Sequence, residues 1–109
     1  MSGARVVLVT APSPDVGAAL GRTLVDERLA ACVNVIPGLT SIYRWQGQRE
    51  EASECLLVIK TDEARYVELE RRVLELHPYT VPEVLALPVE RGAPAYVEWL
   101  RDSVAIEGR

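Results

Sequence analysis

The stretch Cys55-Leu56-Leu57-Val58-Ile59 decides the fold. It is a short apolar run without helical spacing, which is typical of a buried β-strand. Because side chains alternate along a strand, Leu56 and Val58 point to one face of the sheet and the other three residues to the opposite face. Both faces of this strand are therefore apolar. The runs at residues 6–9 and 84–87 are also apolar on both faces, so the sheet must be covered on both sides.

The pattern on either side of this strand alternates extended and helical segments. Apolar periodicity, capping residues and prolines mark the helices, and short β-branched runs mark the strands. In chain order we predict a strand at residues 6–10, a helix at 14–28, extended segments at 32–36 and 40–45, a strand at 49–60, a helix at 62–77, a strand at 82–87 and a helix from residue 94. This order predicts a single α+β domain over residues 1–109 with a ferredoxin-like (split βαβ) fold: an antiparallel sheet with both long helices on one face, an extended hairpin arm and a C-terminal helix.

The second face of this sheet needs a cover that the chain does not supply. A terminal helix of about ten residues is too short to shield four strands, and a bare apolar face of that size exceeds what monomers expose. Self-association is the simplest solution. The long arm at residues 40–60 is an edge that can pair with a neighbour's edge and close a ring.

Composition narrows the class of function. The chain has 109 residues, 49% of them hydrophobic, and a net charge of -4, so it lacks the basic surface that nucleic-acid binding requires. No apolar run is long enough to span a membrane, and we expect a cytoplasmic protein. Cys32 and Cys55 are expected to be free thiols. The final Ile106-Glu107-Gly108-Arg109 reads like a factor Xa cleavage sequence left by an expression vector and is excluded from functional reasoning.

Five ordered motifs spanning residues 5 to 101 resemble the CutA family, which is associated with tolerance to divalent cations. They are Glu27-Arg28-Leu29-Ala30-Ala31-Cys32-Val33-Asn34, Ser41-x-Tyr43-x-Trp45-x-Gly47, Glu54 leading to Lys60-Thr61, His77-Pro78-Tyr79-x-x-Pro82-Glu83, and Tyr96-x-x-Trp99-Leu100. The resemblance implies a ferredoxin-like subunit in a homotrimer, as in the similar PII signalling proteins, with clefts between subunits. We expect high thermal stability of such an assembly.

His77 and Glu83 are the candidate metal ligands. A neutral imidazole suits copper or zinc, whereas the alternative is a histidine that merely ends a helix before Pro78. Some CutA proteins that this chain resembles carry a cysteine and a second histidine where it has Val9 and Leu76. We therefore expect no tightly bound cofactor and only weak binding of Cu2+ or another divalent cation.

Six side chains are expected to gather in the intersubunit cleft: Tyr43, Trp45, Lys60, His77, Tyr79 and Glu83. Packing between subunits is the alternative use of the aromatic residues. We expect Lys60, the single lysine, to pair with Glu83 of its own subunit or Glu54 of a neighbour, because an unpaired buried charge is unfavourable.

The alternative functions are a PII-like sensor that binds a small molecule or anion in this cleft, and a structural or partner-binding trimer. The sequence has no phosphate-binding loop, nucleophile with a base, or paired-histidine motif. We therefore expect no enzymatic activity.

Overall fold

The computed structural model describes residues 3–106. Its elements are β1 (Ala4–Ala11), α1 (Pro14–Asp26), β2 (Cys32–Trp45), β3 (Gln48–Asp62), α2 (Glu63–Leu76), β4 (Leu85–Pro88) and α3 (Pro94–Ser103). The predicted order of strands and helices is confirmed. The last three residues of the sequence that resembles a protease site lie outside the described part of the chain. No helix between residues 3 and 106 is long and apolar enough to cross a membrane.

The four strands form one antiparallel sheet in the order β2-β3-β1-β4. This is the predicted ferredoxin-like topology. The two central strands, β3 and β1, pair along eight residues from Ala4 opposite Asp62 to Ala11 opposite Cys55. The outer strands each have one paired side, since β2 pairs only with β3 and β4 only with β1 within the described sheet.

Helices α1 and α2 cover one face of the sheet, as the sequence predicts. Their apolar stripes include Leu24 and Leu69, which are fully buried and belong to one cluster with Val7, Leu57 and Ile59 of the central strands. Each helix begins at a side chain that accepts a backbone N–H: Ser13 caps α1 through Val16, and Asp62 caps α2 through Ala64. Such caps satisfy amide groups that the first helical turn leaves unpaired.

The second face of the sheet is only partly covered within the subunit. Helix α3 packs against β1 and β3. Elsewhere on the face Ile36, Leu85 and Leu87 are 45%, 57% and 49% exposed. The short terminal helix thus leaves a large apolar area open, as the two-faced strands predict.

Two features of the predicted elements are wrong, and the other predicted boundaries differ from the structure by no more than two residues. The interruption expected at Pro37 and Gly38 is a bulge inside one continuous strand, because Gly38 adopts a positive φ of 79° and pairing with β3 resumes at Leu39. The last strand begins at Leu85 rather than at residue 82. Proline has no N–H to give to a sheet, and Pro82 and Glu83 lie in the loop that precedes β4.

The arm formed by β2 and β3 is a long two-stranded hairpin. Its tip is the pair Gln46 and Gly47, with φ values of 50° and 79°, which is the two-residue turn whose twist suits a hairpin. The arm gives the subunit an extent of 47 Å against 26 and 22 Å in the other directions. Its Ile42, which is 64% exposed, has little to pack against in its own subunit.

Candidate functional site: a cleft at one end of the sheet

The arm, the end of β1 and the loop after α2 enclose a cleft of about 410 Å3. Its lining residues are Thr10, Tyr43, Trp45, Glu54, Pro78, Tyr79, Thr80, Val81 and Glu83. Four of the six side chains expected in a cleft therefore come together in one subunit: two aromatic residues from β2, and Tyr79 and Glu83 from the loop.

Strand alternation places the aromatic residues of the arm. Tyr43 and Trp45 are two positions apart in β2 and therefore point to the same side, while Arg44 between them points to the other. The rings are 44% and 46% exposed, and both line the cleft. They form its outer wall.

His77 is buried and does not line the cleft. It follows the last residue of α2, its N–H donates to the carbonyl oxygen of Val73 at 2.8 Å, and its side chain is 7% exposed. The ring atom Nε2 lies 2.7 Å from the carbonyl oxygen of Thr10, and Nδ1 accepts the backbone N–H of Tyr79 at 3.1 Å. Because a carbonyl only accepts and an N–H only donates, Nε2 carries the proton and the ring is neutral.

This arrangement leaves no ring nitrogen of His77 free for a metal ion. Binding at Nδ1 would break the bond from Tyr79, and binding at Nε2 would break the bond to Thr10. Between residues 3 and 106 no group of three or more His, Cys, Asp or Glu side chains is placed to hold a metal. The pairing of His77 with Glu83 as metal ligands remains a prediction, and the subunit offers no preformed site for it.

Tyr79 connects the loop to the sheet. Its hydroxyl donates to Oε2 of Glu54 at 2.6 Å, and its ring lies 4.7 Å from that of His77. Burial, and then the Glu54 carboxylate, raise the pKa of Tyr79, so the hydroxyl stays protonated and donates at neutral pH. Glu54 is only 8% exposed, which makes it the most buried charged group that lines the cleft.

Lys60 lies at the opposite end of β3, opposite Val6 and Cys32 in the sheet. Its ammonium group donates to Oδ1 of Asn34 and lies 3.6 Å from the sulfur of Cys32. The expected ion pair with Glu83 of the same subunit is therefore wrong, because six strand positions separate Lys60 from the level of Glu54, about 20 Å. Lys60 does not line the cleft of its own subunit.

The comparisons with known proteins agree with this architecture. The sequence profile of the CutA1 divalent ion tolerance protein family matches residues 5–103. The chain belongs to the CutA1 family. It is 54% identical to the divalent-cation tolerance protein CutA of Thermus thermophilus over 98 residues, which are 90% of this chain and 95% of that protein.

Other CutA1 proteins extend the comparison. The chain is 50% identical to human protein CutA over 93 residues, covering 85% of this chain. It spans about half of that longer relative (52%) and 64% of the homolog from Xenopus laevis. Among solved structures, Thermus thermophilus Cut A1 superposes with a TM-score of 0.91 at 52% identity, covering 94% of this chain and 99% of that one. CutA from Xylella fastidiosa superposes with a TM-score of 0.93 at 38% identity, covering 95% of this chain and 100% of that one.

Sequence reasoning missed the part that Glu54 and Thr10 play in this CutA1 subunit. Glu54 was named only in a family motif and as a partner for Lys60, although a carboxylate directly before the apolar run of β3 is a signal of a special position. The Thr10 contact uses a backbone carbonyl, so no side-chain motif marks it. Asn34, the acceptor for Lys60, stands in a recognised motif without an indication of its partner.

Proposed function

We propose that this chain acts in tolerance of divalent cations as a homotrimer that binds metal ions weakly and catalyses no reaction. Membership of the CutA1 family supports the process, and the Thermus relative carries the name of a divalent-cation tolerance protein. The observation that carries the proposal is the cleft, which presents the carboxylates of Glu54 and Glu83 and no positively charged side chain among its described lining residues. Such a lining attracts cations.

The same lining argues against the alternative of an anion sensor. That reading required Lys60 in the cleft, whereas within the subunit Lys60 pairs with Asn34 at the far end of the sheet. The two carboxylates that line the cleft would repel an anionic ligand. We therefore do not propose an anion sensor.

The homotrimer is supported by surfaces that the subunit leaves unsatisfied. The outer strands β2 and β4 each have an unpaired edge in the sheet, and the face between them exposes Ile36, Leu85 and Leu87. Pairing of one subunit's β2 edge with the next subunit's β4 edge is a head-to-tail contact that closes into a ring. The ring buries the apolar faces around its axis.

Light scattering tests the trimer and should give about three times the subunit mass of 12.0 kDa. Ile36→Glu places a charge on the open face and should yield smaller species, because an unpaired buried charge is strongly unfavourable. Val67→Glu is the matched control, since Val67 is 77% exposed on α2, and should remain trimeric. A monomeric parent protein would refute the assembly.

Titration calorimetry tests metal binding. We expect Cu2+ and Zn2+ to bind with a Kd weaker than roughly 1 μM, because the donors are few and His77 must give up a hydrogen bond to take part. Glu83→Gln and His77→Ala should both weaken Cu2+ binding, whereas Glu75→Gln on the outer surface of α2 should not. If neither cleft substitution changes the affinity, the assignment of these two ligands is wrong.

We also propose that the protein functions in a reducing compartment such as the cytoplasm. Cys32 and Cys55 are both unpaired thiols, and such thiols persist where disulfides are not formed. Cell fractionation with an antibody to the protein tests this location.

A further inference from the structure

The chemistry of the cleft also suits a ligand that is larger than a metal ion. Its walls contain three aromatic side chains, Tyr43, Trp45 and Tyr79, together with two carboxylates, Glu54 and Glu83. Aromatic rings do not coordinate metals in the way that imidazole or thiolate groups do. Their faces attract organic cations through the negative charge of the π-system.

Glu54 provides an acceptor that the protein itself leaves unused. Its Oε2 atom accepts the hydroxyl of Tyr79 at 2.6 Å, and no described residue donates to Oε1. Since no side-chain polar atom in residues 3–106 is both fully buried and unpartnered, Oε1 keeps contact with solvent, and Glu54 lines the cleft. A carboxylate on a side chain that is more than nine-tenths buried is thus held in place with one oxygen open.

The bond from Tyr79 fixes the direction of this acceptor. Tyr79 is itself positioned by His77, which accepts its backbone N–H. An oriented, partly desolvated carboxylate binds an N–H cation more strongly than a carboxylate in free solvent. The half-exposed rings of Tyr43 and Trp45 stand at the same cleft, where they would contact the apolar part of such a ligand.

We propose that the cleft binds small organic ammonium ions that carry at least one N–H and an apolar or aromatic body. The ammonium group donates to Glu54, Glu83 adds a second negative charge at the rim, and the body of the ligand lies against the aromatic wall. The cleft volume of about 410 Å3 suits a molecule of this size. This ligand class goes beyond the metal binding proposed above, and the two can succeed or fail independently.

Three probes of one shape separate charge from size: benzylammonium, benzyl alcohol and benzoate. The fluorescence measurement uses the Trp99→Phe variant as its parent protein. The chain has two tryptophans, so Trp45 is the one that remains. Benzylammonium should change the emission of Trp45 in a saturable way. The alcohol should bind at least about tenfold more weakly, because it lacks the charge, and benzoate should not bind.

Glu54→Gln is the decisive variant because the amide still accepts the bond from Tyr79 but has no negative charge. Calorimetry should show affinity for benzylammonium falling about ten- to a hundredfold, the usual range for a hydrogen bond to a charged group. Glu75→Gln removes a charge from α2, away from the cleft, and should leave the affinity unchanged. The unfolding midpoint of each variant confirms that it is folded.

Four results would overturn the proposal. They are equal binding of benzoate, equal binding of the alcohol, unchanged affinity in Glu54→Gln, and no binding of benzylammonium at all. If amine binding is absent and Glu54→Gln also shifts the oligomeric state, the cleft is filled by a basic side chain of a neighbouring subunit instead. A copper titration on the same samples reports separately on the proposed metal binding.

Discussion

Glu54 and Lys60 lie on the same face of strand β3, and the protein uses these two charged side chains differently. Neither makes an ion pair with another residue in the described part of the chain. Glu54 is held by Tyr79, which comes from a loop 25 positions later in the sequence. Lys60 is held by Asn34 of the adjacent strand.

The difference shows which end of the sheet is built as a site. The Glu54 end depends on a chain of contacts in which Thr10 holds His77, His77 holds Tyr79, and Tyr79 holds the carboxylate. The Lys60 end is a local contact between neighbouring strands. A change in the first chain should affect the whole cleft, whereas a change at Lys60 should stay local.

The largest effect is expected at His77. His77→Ala removes two hydrogen bonds and leaves a cavity, so the free energy of unfolding should fall by about 2–4 kcal/mol. His77→Asn keeps an acceptor for the N–H of Tyr79, and His77→Gln keeps a donor for Thr10. Each should therefore lower the free energy of unfolding by less than His77→Ala does. Urea unfolding at one fixed subunit concentration measures these differences, because the stability of an oligomer depends on concentration.

A loss below about 0.5 kcal/mol in His77→Ala would contradict this account. It would mean that the segment from Pro78 to Glu83 is held by other contacts. The comparison between the two ends of β3 would then lose its basis.

An intermediate effect is expected at Tyr79. Tyr79→Phe leaves the buried Glu54 carboxylate without its donor and should lower the free energy of unfolding by about 1–3 kcal/mol. The substitution should also change the response to alkali. Burial and the Glu54 carboxylate raise the pKa of Tyr79, so ionisation above about pH 10 favours the unfolded chain.

The sign of this pH effect is definite. The stability contributed by the raised pKa of Tyr79 is fully present below the pKa of an unfolded tyrosine and is lost as pH rises through the folded value. Tyr79→Phe should therefore lose less stability than the parent above pH 10. Burial and Glu70 also raise the pKa of Tyr66, to about 12, so Tyr66→Phe should change the alkaline slope in the same direction. If the free energy of unfolding falls with pH equally steeply in the parent, Tyr79→Phe and Tyr66→Phe, the assigned pKa directions are refuted.

The fold could be predicted because strand and helix patterns are local properties of the chain. The two-faced run from Cys55 to Ile59 indicated a sheet covered on both sides, and the structure confirms that one face packs on helices while the other is largely open. The predicted break at Pro37 was wrong because a strand can absorb one extra residue as a bulge, and Gly38 supplies the positive φ.

The cleft could be predicted only in part. Its aromatic residues and Glu83 were named from motifs. Lys60 was expected in the same cleft, but within the subunit it lies at the other end of β3. Strand alternation gives the face of a side chain and not its position along the sheet relative to a distant loop. The bond between Tyr79 and Glu54 depends on how the loop after α2 returns over β3. The sequence around Tyr79 or Glu54 does not specify this path of the loop.

The smallest effect is expected at Lys60. Its ammonium contacts Asn34 and the Cys32 sulfur rather than a carboxylate, so Lys60→Met should lower the free energy of unfolding by less than about 1 kcal/mol while keeping the packing of the side-chain stem. Combining it with Asn34→Ala measures the coupling between the two side chains, which should be about 0.5–1 kcal/mol. A loss of about 3–5 kcal/mol in Lys60→Met, the usual effect of breaking a buried ion pair, would instead show that a neighbouring subunit supplies a carboxylate. Both ends of β3 would then be intersubunit sites, and light scattering on the same variant would show a smaller species than the parent protein forms.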